Sequence, residues 1–147
     1  MKILTSSTPN ILLVDDNRDG LLVRRCLLEE IGCCVQTAFS GEEGLKLFQA
    51  AKFDVVVTDY RMPRMNGGEL IQRIRLLDPG ARIILLSGFV EPLGLTEQNT
   101  GADAVSTKSA SEPAHLVRTV KRLMNRVVRK PPGSQKVLKA SAKAIGQ

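Results

Sequence analysis

Five polar residues stand at or just past the ends of apolar runs. Asp15 and Asp16 follow "NILLV", Asp59 follows "DVVVT", Ser87 follows "RIILL", and Lys108 lies just beyond "DAVST". Three carboxylates brought together repel one another, and one or more tends to take up a proton. A divalent cation relieves that repulsion. Mg2+ prefers oxygen ligands in an octahedron and keeps several waters, so two carboxylates, a main-chain carbonyl and water suit it. A lysine ammonium and a serine hydroxyl beside them complete a set shaped for a phosphoryl group on a carboxylate oxygen. Metal, ammonium and hydroxyl would each take one phosphoryl oxygen, and catalysis would be positioning and charge neutralisation. Taken singly, each residue has a plainer reading: Asp-Asp as a turn with a helix cap, Asp59 as an Asx turn, Lys108 as a surface lysine. The coincidence of five such groups on one rim carries the functional reading.

That rim requires a particular arrangement of elements. Five apolar runs recur along the 147 residues, most followed by a turn signal and a helical pattern. Ile11 to Val14 form the first strand, and Leu21, Leu22, Arg25, Leu28 and Glu29 follow at helical spacing until Gly32. "CCVQTAF" is the second strand. "SGEEGLKLFQAA" opens on a capping box, Ser40 with Glu43 three residues later. Val55 to Val57 read as a strand buried on both faces, and the turn through Pro63 is expected to present Asp59 to solvent. The next helix carries Leu70, Ile71, Ile74 and Leu77 on one stripe and ends at Pro79-Gly80. "RIILLS" and "DAVST" are the fourth and fifth strands. The connection between them holds Pro92 and Gly94, has only Leu93 and Leu95 for a stripe, and predicts a short or frayed helix. Ser111 caps the last helix, with Pro113 in its first turn. Strands alternating with helices argue for an α/β fold, a parallel sheet covered on both faces. In such sheets function gathers at the carboxyl ends of the strands, where these five residues fall.

Composition limits the alternatives. Hydrophobic residues are 43% and aromatics 3%, so Leu, Val and Ile supply most of the packing. No run approaches the roughly 20 apolar residues of a membrane span. The start "MKILTSSTPN" is not a signal peptide, so no membrane attachment and a cytoplasmic location are expected. The three cysteines, Cys26, Cys33 and Cys34, read as reduced, packed thiols, since the only histidine, His115, lies far along the chain. The net charge is +6, and five basic residues fall between Arg129 and Gln147 with no acidic ones. The body is therefore nearly neutral and the basic excess belongs to a tail. The expected organisation is an N-terminal extension over 1–9, one domain over 10–128 and a basic tail over 129–147.

The motifs "LLVDD", "VVVTDYRMPRMNGGEL", "IILLSG" and "GADAVSTK" together resemble the receiver domain of two-component response regulators, over roughly Asn10 to Val128. The resemblance implies a flavodoxin-like, doubly wound sheet of five parallel strands in the order 2-1-3-4-5 with five flanking helices. It implies Asp59 as phospho-acceptor, Asp16 and Asp59 as direct Mg2+ ligands with the main-chain carbonyl of Arg61, and Asp15 as a ligand through water. Ser87 would be the switch hydroxyl and Lys108 the ion-pair partner of the phosphate. The implied donor is a sensor histidine kinase or histidine phosphotransfer protein, and the implied output is a protein partner. No helix-turn-helix fits after Val128, so DNA binding is not expected. The oligomeric state is open, a homodimer included.

Three features depart from the family pattern. The usual fifth-strand aromatic is replaced by Val105, which has no comparable rotamer swing. The usual proline after the lysine is Ser109, and a cis bond there would cost about 3–4 kcal/mol, so a trans bond or rearranged loop is expected. The fourth helix is interrupted by Pro92 and Gly94. Arg61 and Phe89, two positions after Asp59 and Ser87, are expected to flank the acceptor and obstruct attacking water.

Three other readings compete. One is a receiver-like interaction module indifferent to phosphate. A second, an aspartyl-phosphate hydrolase, lacks the second aspartate such enzymes place two residues on, where Arg61 stands; no P-loop motif occurs either. The chain is therefore read as no enzyme beyond phosphorylation and dephosphorylation of Asp59 itself. The third, nucleic-acid binding through the tail, has no reading element to support it.

Overall fold

The computed structural model describes residues 8–88, 94–109 and 112–129, the side chains of 126–129 excepted. Five strands, β1 (Asn10–Val14), β2 (Cys34–Ala38), β3 (Val55–Asp59), β4 (Ile83–Ser87) and β5 (Ala104–Thr107), form one sheet in the order 2-1-3-4-5. Every pairing is parallel. The helices are α1 (Arg18–Glu30), α2 (Gly41–Ala50), α3 (Gly67–Leu77), α4 (Glu97–Thr100) and α5 (Glu112–Arg129). This is the fold class expected from the order of apolar runs.

The pleat explains why β1, β3 and β4 read as unbroken apolar runs. Alternate side chains go to opposite faces, and both faces are covered. Ile11, Leu13, Val55, Val57, Ile84 and Leu86 pack with Leu21 and Leu28 of α1 and Leu116, Val120 and Leu123 of α5. Leu12, Val14, Val56, Ile83 and Leu85 face Leu70, Ile71 and Ile74 of α3. β2 is an edge strand, and its burial alternates with the pleat: Val35 and Thr37 are half-buried on one face, Cys34 and Gln36 exposed on the other.

Several sequence expectations need correction. Cys33 is buried, but Cys26 and Cys34 are exposed, so one thiol of three is packed. Leu77 is 51% exposed because α3 ends there, with Asp78 as its C-cap, so the stripe stops at Ile74. On α1 the buried stripe is Leu21, Arg24 and Leu28; Leu22 is exposed, and Arg25 pairs with Glu29 on the surface. Ser40 does cap α2, but Glu43 accepts from the Phe39 N–H rather than closing the box on Ser40. The short helix expected before β5 is present among the described residues, four residues long with a capping box between Thr96 and Asn99. Phe89, Pro92, Leu93, Ser111 and the basic tail lie outside the described residues, the backbone of Arg129 excepted.

The segment after β3 is held close to the sheet. Met62 and Met65 are buried in the core beneath α2 and α3, and the Gly67 N–H donates to the Tyr60 carbonyl at 2.8 Å. A Cβ on Gly67 would collide with the Asp59 carbonyl oxygen and come within 2.9 Å of both Leu85 Cδ1 and Tyr60 Cα. Two of those three atoms are backbone and cannot swing aside. Gly67→Ala is therefore expected to destabilise the fold by about 1–3 kcal/mol, the usual cost of overpacking. Urea denaturation would measure it, and an unchanged midpoint would show that α3 can move away from β3 freely.

Candidate functional site

β1 and β3 are neighbours, so Asp15, Asp16 and Asp59 emerge side by side at the carboxyl edge of the sheet. Their nearest carboxylate oxygens all lie within 4.8 Å of one another. Asp15 and Asp59 are buried, whereas Asp16 is exposed at the rim. The expectation that the Pro63 turn presents Asp59 to solvent is not met: only 7% of it is accessible, because the turn is anchored by Met62 and Met65. A surface cleft lined by Asp16, Tyr60, Arg61, Met62, Pro63 and Asn66 opens beside it.

Lys108 reaches into the cluster from the end of β5. Its Nζ lies 2.8 Å from Asp59 Oδ1 and 3.3 Å from Asp15 Oδ2. Its backbone N–H donates to the Ser87 carbonyl at 2.9 Å, which fixes the loop after β5 against the end of β4. Ser87 is itself buried at that strand end. All five residues singled out in the sequence thus stand on one rim. Val105 is half-buried against the α3-side core, and its N–H donates to Glu97 of α4.

Asp15 is held from three directions. Its Oδ1 accepts from the Asn17 N–H at 2.9 Å, and its Oδ2 accepts from Lys108 and from Arg24 Nη1 at 3.0 Å. Arg24 in turn pairs with Glu112 in the first turn of α5. Neither Arg24 nor Glu112 was singled out from sequence. The available signal was an arginine between Leu21 and Leu28 on the buried stripe of α1.

Burial raises the Asp59 carboxyl above its ordinary value of 3.8, with the neighbouring Asp15 and Asp16 charges acting the same way and Lys108 opposing them. A carboxylate whose folded pKa is raised binds its proton more tightly in the folded state. Its contribution to stability is then present below the unfolded pKa and lost as pH rises through the folded one. Metal-free protein should accordingly gain stability relative to Asp59→Asn as pH falls from about 7 to about 4. Paired urea titrations in chelator would measure this, and a difference that does not vary with pH would contradict it.

The donor set fits a hard cation. It consists of carboxylate oxygens, two of them on buried residues, with no nitrogen or sulfur ligand in the cluster. Asp15, Asp16 and Asp59 are the residues that would hold Mg2+.

Over residues 11–121 the sequence matches the family described as "Response regulator receiver domain". A response regulator receiver protein of Anaeromyxobacter is 37% identical over 106 residues, 71% of this chain and 44% of that protein. The virulence sensor protein BvgS of Bordetella bronchiseptica is 38% identical over 91 residues, 59% of this chain but 7% of the sensor. The chain thus spans less than half the length of these relatives. Among solved structures, a CheY-like receiver domain protein of Methanospirillum hungatei superposes with a TM-score of 0.75 at 30% identity, covering 83% of this chain and 98% of that one. The regulator TrrA of Thermotoga maritima, solved in complex with Mg(2+)-BeF, does so with 0.72 at 33% identity, covering 79% and 99%.

Proposed function

The chain belongs to the response regulator receiver domain family, and from that premise we propose that Asp59 accepts a phosphoryl group from the phosphohistidine of a sensor histidine kinase or histidine phosphotransfer protein, in a Mg2+-dependent reaction. The observation that carries this reading is the Lys108 ammonium 2.8 Å from Asp59, inside a group of three carboxylates at one strand edge. An Asp59 carboxylate oxygen forms the new bond to phosphorus while the P–N bond of the donor breaks, and the imidazole nitrogen keeps that electron pair. Bound Mg2+ would supply charge neutralisation for the phosphoryl oxygens. Asp16, Asp59 and the Arg61 main-chain carbonyl would hold it directly, with Asp15 acting through water. Lys108 then leaves Asp15 to pair with a phosphoryl oxygen, and the Ser87 hydroxyl donates to another. Desolvation around Asp59 favours transfer, since a poorly hydrated carboxylate has less water to shed.

The output we infer is a protein–protein contact whose population shifts with phosphorylation. The domain limits of 10–128 and a cytoplasmic location belong to the same reading; no helix among the described residues is long and apolar enough to cross a membrane. A second reading, an interaction module indifferent to phosphate, is favoured by one observation. Val105 stands where the family usually has its mobile aromatic, and it is packed against the core rather than free to swing.

Phosphotransfer profiling against a panel of histidine kinases tests the first reading. The expected result is rapid Mg2+-dependent labelling by one or a few kinases and a partner affinity that changes on labelling. Labelling by none overturns it, and partner binding that ignores labelling favours the second.

A further inference from the structure

We propose that Arg24 is a positioning residue for the metal site: clamped by Glu112, it fixes the Asp15 carboxylate and thereby makes Mg2+ affinity depend on the first turn of α5. This rests on the reading that the three aspartates hold Mg2+, and it assigns a role within that site to residues outside the cluster.

The geometry is that of a built clamp. Arg24 donates through Nη1 to Asp15 Oδ2 at 3.0 Å. Its Nη2 donates to Glu112 Oε1 at 2.9 Å, and its Nε lies 3.2 Å from both Glu112 oxygens. The fork therefore joins residues from three separate elements, and the side chains of Arg24 and Glu112 are only 9% and 4% exposed. Gly20, one turn earlier on α1, leaves the space: a Cβ there would sit 3.1 Å from Arg24 Nη1. Arg24 lines the same small void as Asp15 and Asp59.

Packing alone does not call for these charges. Between Leu21 and Leu28 an apolar residue would bury without desolvating a guanidinium. Exchanging a buried ion pair for apolar residues of similar volume is often neutral or stabilising. What an apolar pair cannot do is hold Asp15. Lys108 is shared between Asp15 and Asp59. When it turns to a phosphoryl oxygen, Arg24 remains on Asp15 Oδ2, with the Asn17 N–H on Oδ1. Partners that orient a ligating or water-bridging carboxylate in this way commonly change metal affinity 10- to 100-fold when removed.

The sign separates positioning from simple charge. Arg24 contacts Asp15 directly and Glu112 does not, so deleting both charges removes the nearer positive one. A purely Coulombic role would then tighten Mg2+ binding, whereas loss of positioning weakens it. The test is calorimetric titration of the full chain with Mg2+ alone, comparing wild type, Arg24→Met/Glu112→Met and Arg24→Lys, with unfolding midpoints measured alongside. The expected result is a folded double variant whose Mg2+ Kd rises about tenfold or more, and a smaller rise in Arg24→Lys. An unchanged or lower Kd in the folded double variant overturns the assignment and leaves the pair as a pin between α1 and α5.

A second measurement needs no variant. In wild type, Mg2+ should shift the Arg24 Nε–H and Glu112 amide resonances with the same midpoint as the Asp59 amide. Silence at Arg24 and Glu112 while Asp59 responds contradicts the proposal. Wild type that does not bind Mg2+ at all overturns it together with the magnesium reading, so the two failures are told apart.

Discussion

Replacing Asp59 by asparagine is expected to abolish labelling by acetyl phosphate in the presence of Mg2+, while the protein stays folded. Asp59 is the carboxylate nearest the Lys108 ammonium, at 2.8 Å against 3.3 Å for Asp15, and Asp15 is already held by Arg24 and the Asn17 N–H. An amide oxygen carries no full negative charge, and the amide NH2 would meet the ammonium donor to donor. The fold is expected to survive because Asp59 is buried with an ionisation that its surroundings oppose, and a neutral amide avoids that opposition. Intact-protein mass spectrometry reads the result directly. Undiminished labelling of the Asn variant would show that the phosphoryl group resides elsewhere.

The second large effect is at Lys108, where Lys108→Met should slow phosphorylation about 10²- to 10³-fold, the usual range for losing one preorganised charge-stabilising donor. The same substitution should tighten Mg2+ binding, because it takes a positive charge from Asp15 and Asp59 together. The two readouts moving in opposite directions would mark Lys108 as acting on the transferring group rather than on the metal ligands. Slower phosphorylation caused merely by weaker Mg2+ binding would contradict that assignment. Stopped-flow labelling at saturating Mg2+ separates the cases.

The site residues were legible because each lies at the end of a strand that announces itself locally. "VVVTD" and "IILLS" are runs that only a strand covered on both faces accommodates, and in a parallel sheet their carboxyl ends share an edge. The sheet order is not written in the runs themselves; it follows from the resemblance to the receiver family, and the sheet has that order. Arg24 and Glu112 were not legible as a pair because 88 residues separate them and only folding brings α5 beside α1. Helical spacing alone does not say which arginine turns inward: the Arg25 guanidinium pairs with Glu29 on the surface and Arg24 takes the inward place. The cysteines failed differently. Cys34 looked packable as a strand residue, but nothing in a short run marks β2 as the edge of the sheet, where every second side chain faces out. The short helix expected in the fourth connection is present among the described residues as Glu97–Thr100.

The Val105 position gives the clamp a wider consequence. If the strand-β5 side chain cannot report the state of Asp59 by changing rotamer, the charge chain from Asp59 through Lys108, Asp15 and Arg24 to Glu112 offers another route to the last helix.

One carboxylate, seated among its acidic neighbours, is proposed to take up phosphate. The most direct measurement is peptide mapping of the wild-type protein after labelling with a small-molecule phosphodonor and Mg2+, with the acyl phosphate trapped by borohydride reduction. Reduced product is expected at Asp59 alone, and none when Mg2+ is chelated. Trapped product at Asp15, Asp16 or any other residue, or equal labelling without the metal, would contradict it.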